Sequence, residues 1–172
     1  MELNMELNQL FKIQEIIESN IKNSTNIPED LLGEENIFDL KFLALQVKLG
    51  QLANTTKCYK YHKNNSYRIP KEKLVLRYID VMKFLLSIGN EHNFNIINKE
   101  VIDSVEQPEG VIKAFSQIFS DIIRLKSEIL AGTYINSLNI YIELFAKYIS
   151  LGNNLGLTFE EVYDYYLKYH SC

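Results

Sequence analysis

The sequence predicts an all-α protein, a bundle of five to six helices in a single domain over residues 1–172. Apolar residues recur at spacings of three and four in nearly every segment, and the strict alternation of a half-buried strand is rare. Polar stretches with Pro or Gly divide those segments at intervals suited to helix–helix connections. At 172 residues, 47% hydrophobic and 23% charged, the chain can bury one proper core and lacks the composition of a disordered segment.

Each element follows from its own pattern. The first helix is expected from about Leu3 to Ile21, with Leu7, Leu10, Phe11, Gln14, Ile17 and Ile21 along one stripe. Lys22 to Asn36, containing Pro28 and Gly33, reads as a loop. A second helix over about Ile37–Tyr61 carries Phe38, Phe42, Leu45, Leu49 and Leu52 on its apolar face and holds Cys58 within it. Asn64-Asn65-Ser66 and Pro70 precede a third helix over Lys71–Asn90, whose face is Leu74, Ile79, Met82, Leu85 and Leu86. A break at Glu106-Gln107-Pro108 opens the fourth, with Pro108 placed in the first turn, where its missing N–H is no loss. Val111, Phe115, Ile118, Phe119, Ile122 and Leu125 supply that helix's apolar side. The fifth spans Ile135–Leu155 and stops at Gly156. Thr158-Phe159-Glu160-Glu161 is a capping box that starts a last helix to about Lys168. The fourth and fifth helices carry more apolar surface than a small monomer needs to bury, which points to pairing between two copies.

Composition removes several classes of function. A net charge of −4 does not suit a general nucleic-acid binder. Two cysteines, Cys58 and Cys172, are too few to staple a secreted scaffold, so a cytoplasmic setting is expected. Neither a signal peptide nor an apolar run of about 18 residues is present, so no membrane partner is expected. Trp is absent whereas Tyr numbers 11 and Phe 9, so aromatic packing rests on rings of which the tyrosines carry hydroxyls that need partners. His62, His92 and His170 are scattered with no cysteine at zinc spacing. Cys58 has no neighbouring His–acid relay, and Gly50 and Gly89 are isolated rather than part of a phosphate loop.

The informative stretch is Ala44-Leu-Gln-Val-Lys48-Leu-Gly50-Gln51-Leu-Ala-Asn54, followed by Lys57-Cys-Tyr-Lys60-Tyr61-His62. Leu74-Val-Leu-Arg77-Tyr-Ile-Asp80-Val-Met-Lys83-Phe84 comes next, and Leu151-Gly-Asn-Asn-Leu-Gly-Leu-Thr-Phe-Glu-Glu-Val-Tyr closes the chain. With the opening Phe11-Lys-Ile-Gln14, these segments resemble, nearly end to end, the all-α dimeric dUTP pyrophosphatases, relatives of the MazG-like nucleoside triphosphate pyrophosphohydrolases. The resemblance implies a homodimer and a site built from Glu-x-x-Glu on one helix and Glu-x-x-Asp on the next. Positions three apart share a helix face, so each pair would present carboxylate oxygens together to Mg²⁺ and the substrate phosphates.

At those positions this chain has Lys48, Gln51, Arg77 and Asp80. One carboxylate remains and two have become cations, so neither Mg²⁺ nor metal-dependent hydrolysis is expected. Lys83 stands where the family usually has His, and His62 replaces the usual Trp. The family's basic C-terminal tail is also expected to be missing beyond His170-Ser-Cys172. The resemblance implies a nucleotide pocket lined by Gln14, Gln51, Asn54 and Asp80, with Lys60 near the phosphates. Tyr59 and Tyr61 offer rings for a base to stack upon, or for packing in the core.

Three readings follow. Lys48, Arg77, Lys60 and Lys83 could hold the phosphates of a nucleotide or nucleotide-derived signal in a pseudoenzyme that sequesters or senses it, in the manner of a phage-encoded sponge. A residual dUTP pyrophosphatase would depend on Asp80. A protein-interaction module would use the dimer surface instead. Alternatively Lys48 or Arg77 simply pairs with Asp80 as an interhelical salt bridge. An open basic site and a collapsed pair are the outcomes that separate these.

Overall fold

A computed structural model describes residues 2–24, 33–60 and 68–170, and among these every regular element is helical. In order they are α1 (Glu2–Ser24), α2 (Glu34–Thr56), α3 (Lys71–Glu91), α4 (Lys99–Asp103), α5 (Val111–Ala131), α6 (Tyr134–Asn154) and α7 (Phe159–His170). The five long segments read from periodicity and the last capped helix are all present. Asn64, Asn65, Ser66 and the tyrosine and histidine at 61 and 62 lie outside the described residues.

α1 runs on to Ser24 and α2 begins at Glu34, each three residues into the segment expected as a loop. Two further boundaries and one added helix differ from expectation for local reasons. α2 ends at Thr56, because Lys57 adopts a left-handed conformation (φ 52°) and its N–H closes on the Ala53 carbonyl. Thr55 and Thr56 help by turning their hydroxyls back onto the Gln51 and Ala53 carbonyls. Cys58 is therefore in the turn beyond α2, not inside it. Pro108 is likewise not in the first turn of α5, which begins at Val111 after Gly110. The short α4 has too few residues for a period to register, although Asn98 caps it by accepting from the Val101 N–H. Elsewhere the signals hold. Gly156 (φ 81°) follows the end of α6, and Thr158 and Glu161 exchange reciprocal capping bonds of 3.2 and 3.0 Å.

Two antiparallel pairs make the frame. Lys48 lies against Asp80, Gln51 against Arg77 and Lys41 against Glu91, so numbering rises on α2 as it falls on α3. Asp121 meets Lys147, and Arg124 meets Glu143, which sets α5 and α6 the same way. α1 packs on α3, α5 also meets α2, and α7 closes over α1, α3 and α6. Lys126 of α5 fastens to Asp39 of α2 at 2.7 Å.

The core is one continuous cluster. It includes Leu45, Leu49 and Leu52 from α2, and Tyr78, Val81, Met82 and Leu85 from α3, with Ile118, Ile122, Tyr141, Leu144 and Tyr148 across from them. Its tyrosines satisfy their hydroxyls internally. Tyr78 and Tyr148 stack at 4.4 Å between ring centres. Each donates its hydroxyl to the other's backbone carbonyl, at 2.9 and 2.6 Å. Tyr141 donates to the Leu85 carbonyl at 2.7 Å. Burial raises the pKa of all three phenols, so they stay protonated donors. Two glycines make room for these rings. A Cβ at Gly89 would come within 2.3 Å of the Tyr141 hydroxyl, and one at Gly152 within 2.7 Å of the Tyr78 hydroxyl.

Candidate functional site

The buried faces of α2 and α3 fix what their outer faces present. Leu45, Leu49 and Leu52 turn α2 so that Lys48 and Gln51 look out, and Tyr78, Val81 and Met82 do the same for Arg77, Asp80 and Lys83 on α3. The antiparallel register then brings the two outward sets together. Asp80 Oδ2 lies 3.7 Å from Lys48 Nζ and 3.4 Å from Arg77 Nη1. Arg77 Nη1 also points at Gln51 Oε1, at 3.5 Å.

These are loose contacts. The usual N–H···O range is about 2.7–3.2 Å, and charge-assisted bonds fall at its short end. All three partners keep water access, with side-chain exposures of 33% for Lys48, 39% for Arg77 and 29% for Asp80. Lys83 belongs to the same field: burial lowers its pKa, Asp80 pulls it back up and Lys48 lowers it further. One carboxylate therefore stands among three cations. Beneath it lies the Tyr78–Tyr148 pair, and Asp80 adds to the burial and the Tyr78 effect that raise the Tyr148 phenol.

Other residues singled out from the sequence bond to partners outside the Asp80 cluster. Gln14 is buried between α1 and α7, where its Nε2 donates to Glu18 Oε1 at 2.9 Å and its Oε1 accepts from the Tyr166 hydroxyl. Asn54 accepts from Tyr59 at 2.7 Å, and both are exposed at the end of α2. Lys60 is exposed in the segment that follows, and Tyr61 lies outside the described residues. Among the described residues no hydrogen bond or ion pair ties Gln14, Asn54, Tyr59 or Lys60 to the Asp80 cluster.

A second charged cluster was not singled out from the sequence. Asp121 on α5 accepts from Lys147 on α6 at 2.6 Å and from Arg124 at 2.8 Å, and Glu143 completes the group. Asp121 and Lys147 are 4% and 13% exposed. The signal was available, because Asp121 falls at helical spacing with Ala114, Ile118 and Leu125 on the buried side of α5.

A family model described as dUTPase matches residues 6–172. The chain belongs to the dUTPase family. No curated protein and no solved structure matches it. The helical fold agrees with the family resemblance of the α2 and α3 segments, and the match covers both of them. Against that background the make-up of the α2–α3 site stands out. Among the described residues of this dUTPase-family chain, no group of three or more His, Cys, Asp and Glu side chains is placed to hold a metal ion. Among the helices described, none is long and apolar enough to cross a membrane.

Proposed function

We propose that this dUTPase-family protein binds a nucleotide, or a signal derived from one, through its phosphates and does not hydrolyse it. The observation that carries this reading is the arrangement around Asp80, where Lys48, Arg77 and Lys83 outnumber a single carboxylate. Mg²⁺ takes several oxygen ligands in near-octahedral order. Two cations within 4 Å of the one carboxylate do not fit that need. The same cations suit phosphate oxygens. The Arg77 guanidinium offers a planar fork to two oxygens, and the Lys48 ammonium supplies a point charge facing it from α2. The Gln51 amide adds a neutral polar group to the rim.

Such a site would sequester or sense its ligand. Calorimetry in magnesium-free buffer against a panel of nucleoside triphosphates, diphosphates and cyclic or ADP-ribose-type signals tests the reading. Lys48→Glu is expected to weaken any binding about a hundredfold, through loss of one charge-assisted contact and addition of a repulsive one. Magnesium-dependent release of pyrophosphate from dUTP would contradict the reading.

The protein is further proposed to be a homodimer. Supporting this, α2 exposes Leu40, Leu43 and Val47 on one stripe, and the adjoining α5 exposes Ile112, Ile123 and Leu130. Light scattering after size exclusion should give twice the 20.1 kDa chain mass, and Leu43→Glu should halve it.

A further inference from the structure

Resting on the phosphate-binding reading above, we infer that Asp80 is an internal competitor for the ligand, occupying the position between Lys48 and Arg77 that a phosphate oxygen would take. Where each cation of this protein has a carboxylate oxygen to itself the contact closes, to 2.6 Å for Lys41 on Glu91, 2.7 Å for Lys126 on Asp39, and 2.6 and 2.8 Å for Lys147 and Arg124 on separate oxygens of Asp121. Asp80 shares one oxygen between two cations at 3.4 and 3.7 Å and closes on neither. It neutralises part of a threefold positive charge, keeps the free site from self-repulsion, and is held weakly enough to give way.

The consequence is selectivity by charge. A ligand must present more negative charge to Lys48 and Arg77 than Asp80 already does. Lys83 lies six residues beyond Arg77, about 9 Å of helix rise, so a chain of phosphates meets more of the three cations than a lone phosphate does. The site therefore selects di- and triphosphate groups over monophosphates. Asp80 sets that threshold.

Isothermal calorimetry with inorganic tripolyphosphate and with orthophosphate, in EDTA, on the full chain tests this. Asp80→Asn should bind tripolyphosphate about tenfold tighter than the unaltered protein, and should gain measurable orthophosphate binding. Asp80→Ala should do the same, which guards against a local effect of the new amide. Adding Lys48→Gln to Asp80→Asn should cancel the gain. If the unaltered protein binds tripolyphosphate and both Asp80 variants bind it equally or more weakly, the competitor role is wrong while the phosphate site stands. If none of the proteins binds either anion, the phosphate-binding reading itself fails and takes this inference with it.

Discussion

The two charged clusters of this bundle are built from the same residue types and behave differently. Between α5 and α6, two acids (Asp121 and Glu143) meet two cations (Arg124 and Lys147), the closest contacts are 2.6 and 2.8 Å, and Asp121 is sealed from water. Between α2 and α3, one acid meets three cations, the contacts are 3.4 and 3.7 Å, and water reaches the partners. Balance and burial let the first cluster close, and it serves the frame. Surplus charge leaves the second one open, and a cationic surplus at a helix–helix rim suits an anion from outside. Stability measurements should respond to the first and binding measurements to the second.

The largest stability effect should come from the closed cluster. Asp121→Asn leaves Lys147 nearly buried with only Glu143 at 3.9 Å, and should cost about 3 kcal/mol in urea unfolding. Tripolyphosphate binding should be unaltered, and a loss of binding would blur the contrast. Next comes the tyrosine pair beneath the open cluster. Gly152→Ala drives a methyl into Tyr78 and should cost about 2 kcal/mol. Since Tyr78 precedes Asp80 by two residues, a change in ligand affinity with that substitution would reveal that the core positions the site.

Lys48→Gln should change stability by no more than about 0.5 kcal/mol, because its contact with Asp80 is long and partly solvated. A loss of 2 kcal/mol or more in the same unfolding experiment would mark the α2–α3 cluster as a structural ion pair after all. The smallest effect belongs to His92, set between the Phe38 and Phe94 rings at the end of α3. Burial lowers its pKa, against a pull upwards from Glu91 and with a push downwards from Lys41. A depressed histidine contributes stability that is complete above its ordinary value near 6.5 and is lost as pH falls below it. Because the ring is partly solvated, unfolding at pH 5.5 should show a loss of less than about 0.5 kcal/mol relative to pH 7.5, abolished by His92→Phe. A loss that survives that substitution would place the titrating group elsewhere.

Much of the bundle was legible in the sequence because helical period, glycine stops and a capping box are local signals. Leu45, Leu49 and Leu52 lie on one face by arithmetic alone, and Thr158 with Glu161 announces a helix start. The end of α2 was not legible, since Lys57 takes a left-handed turn with no glycine to mark it. For the site, spacing put Lys48 with Gln51 and Arg77 with Asp80, but the register of α2 against α3 is a tertiary fact. Only the fold shows Lys48 and Arg77 sharing one oxygen of Asp80. For Gln14 the resemblance implies a place in a nucleotide pocket, and the fold adds its partners, Glu18 from its own helix and Tyr166 from α7.

The α2–α3 site is proposed to take phosphates in place of metal. Paired calorimetric titrations of dUTP, one in EDTA and one in magnesium, test it most directly, with pyrophosphate assayed in both. Binding is expected to be equally strong or stronger without magnesium and weakened by rising salt, with no pyrophosphate released. Binding that requires magnesium, together with pyrophosphate release that Asp80→Ala abolishes, would contradict it.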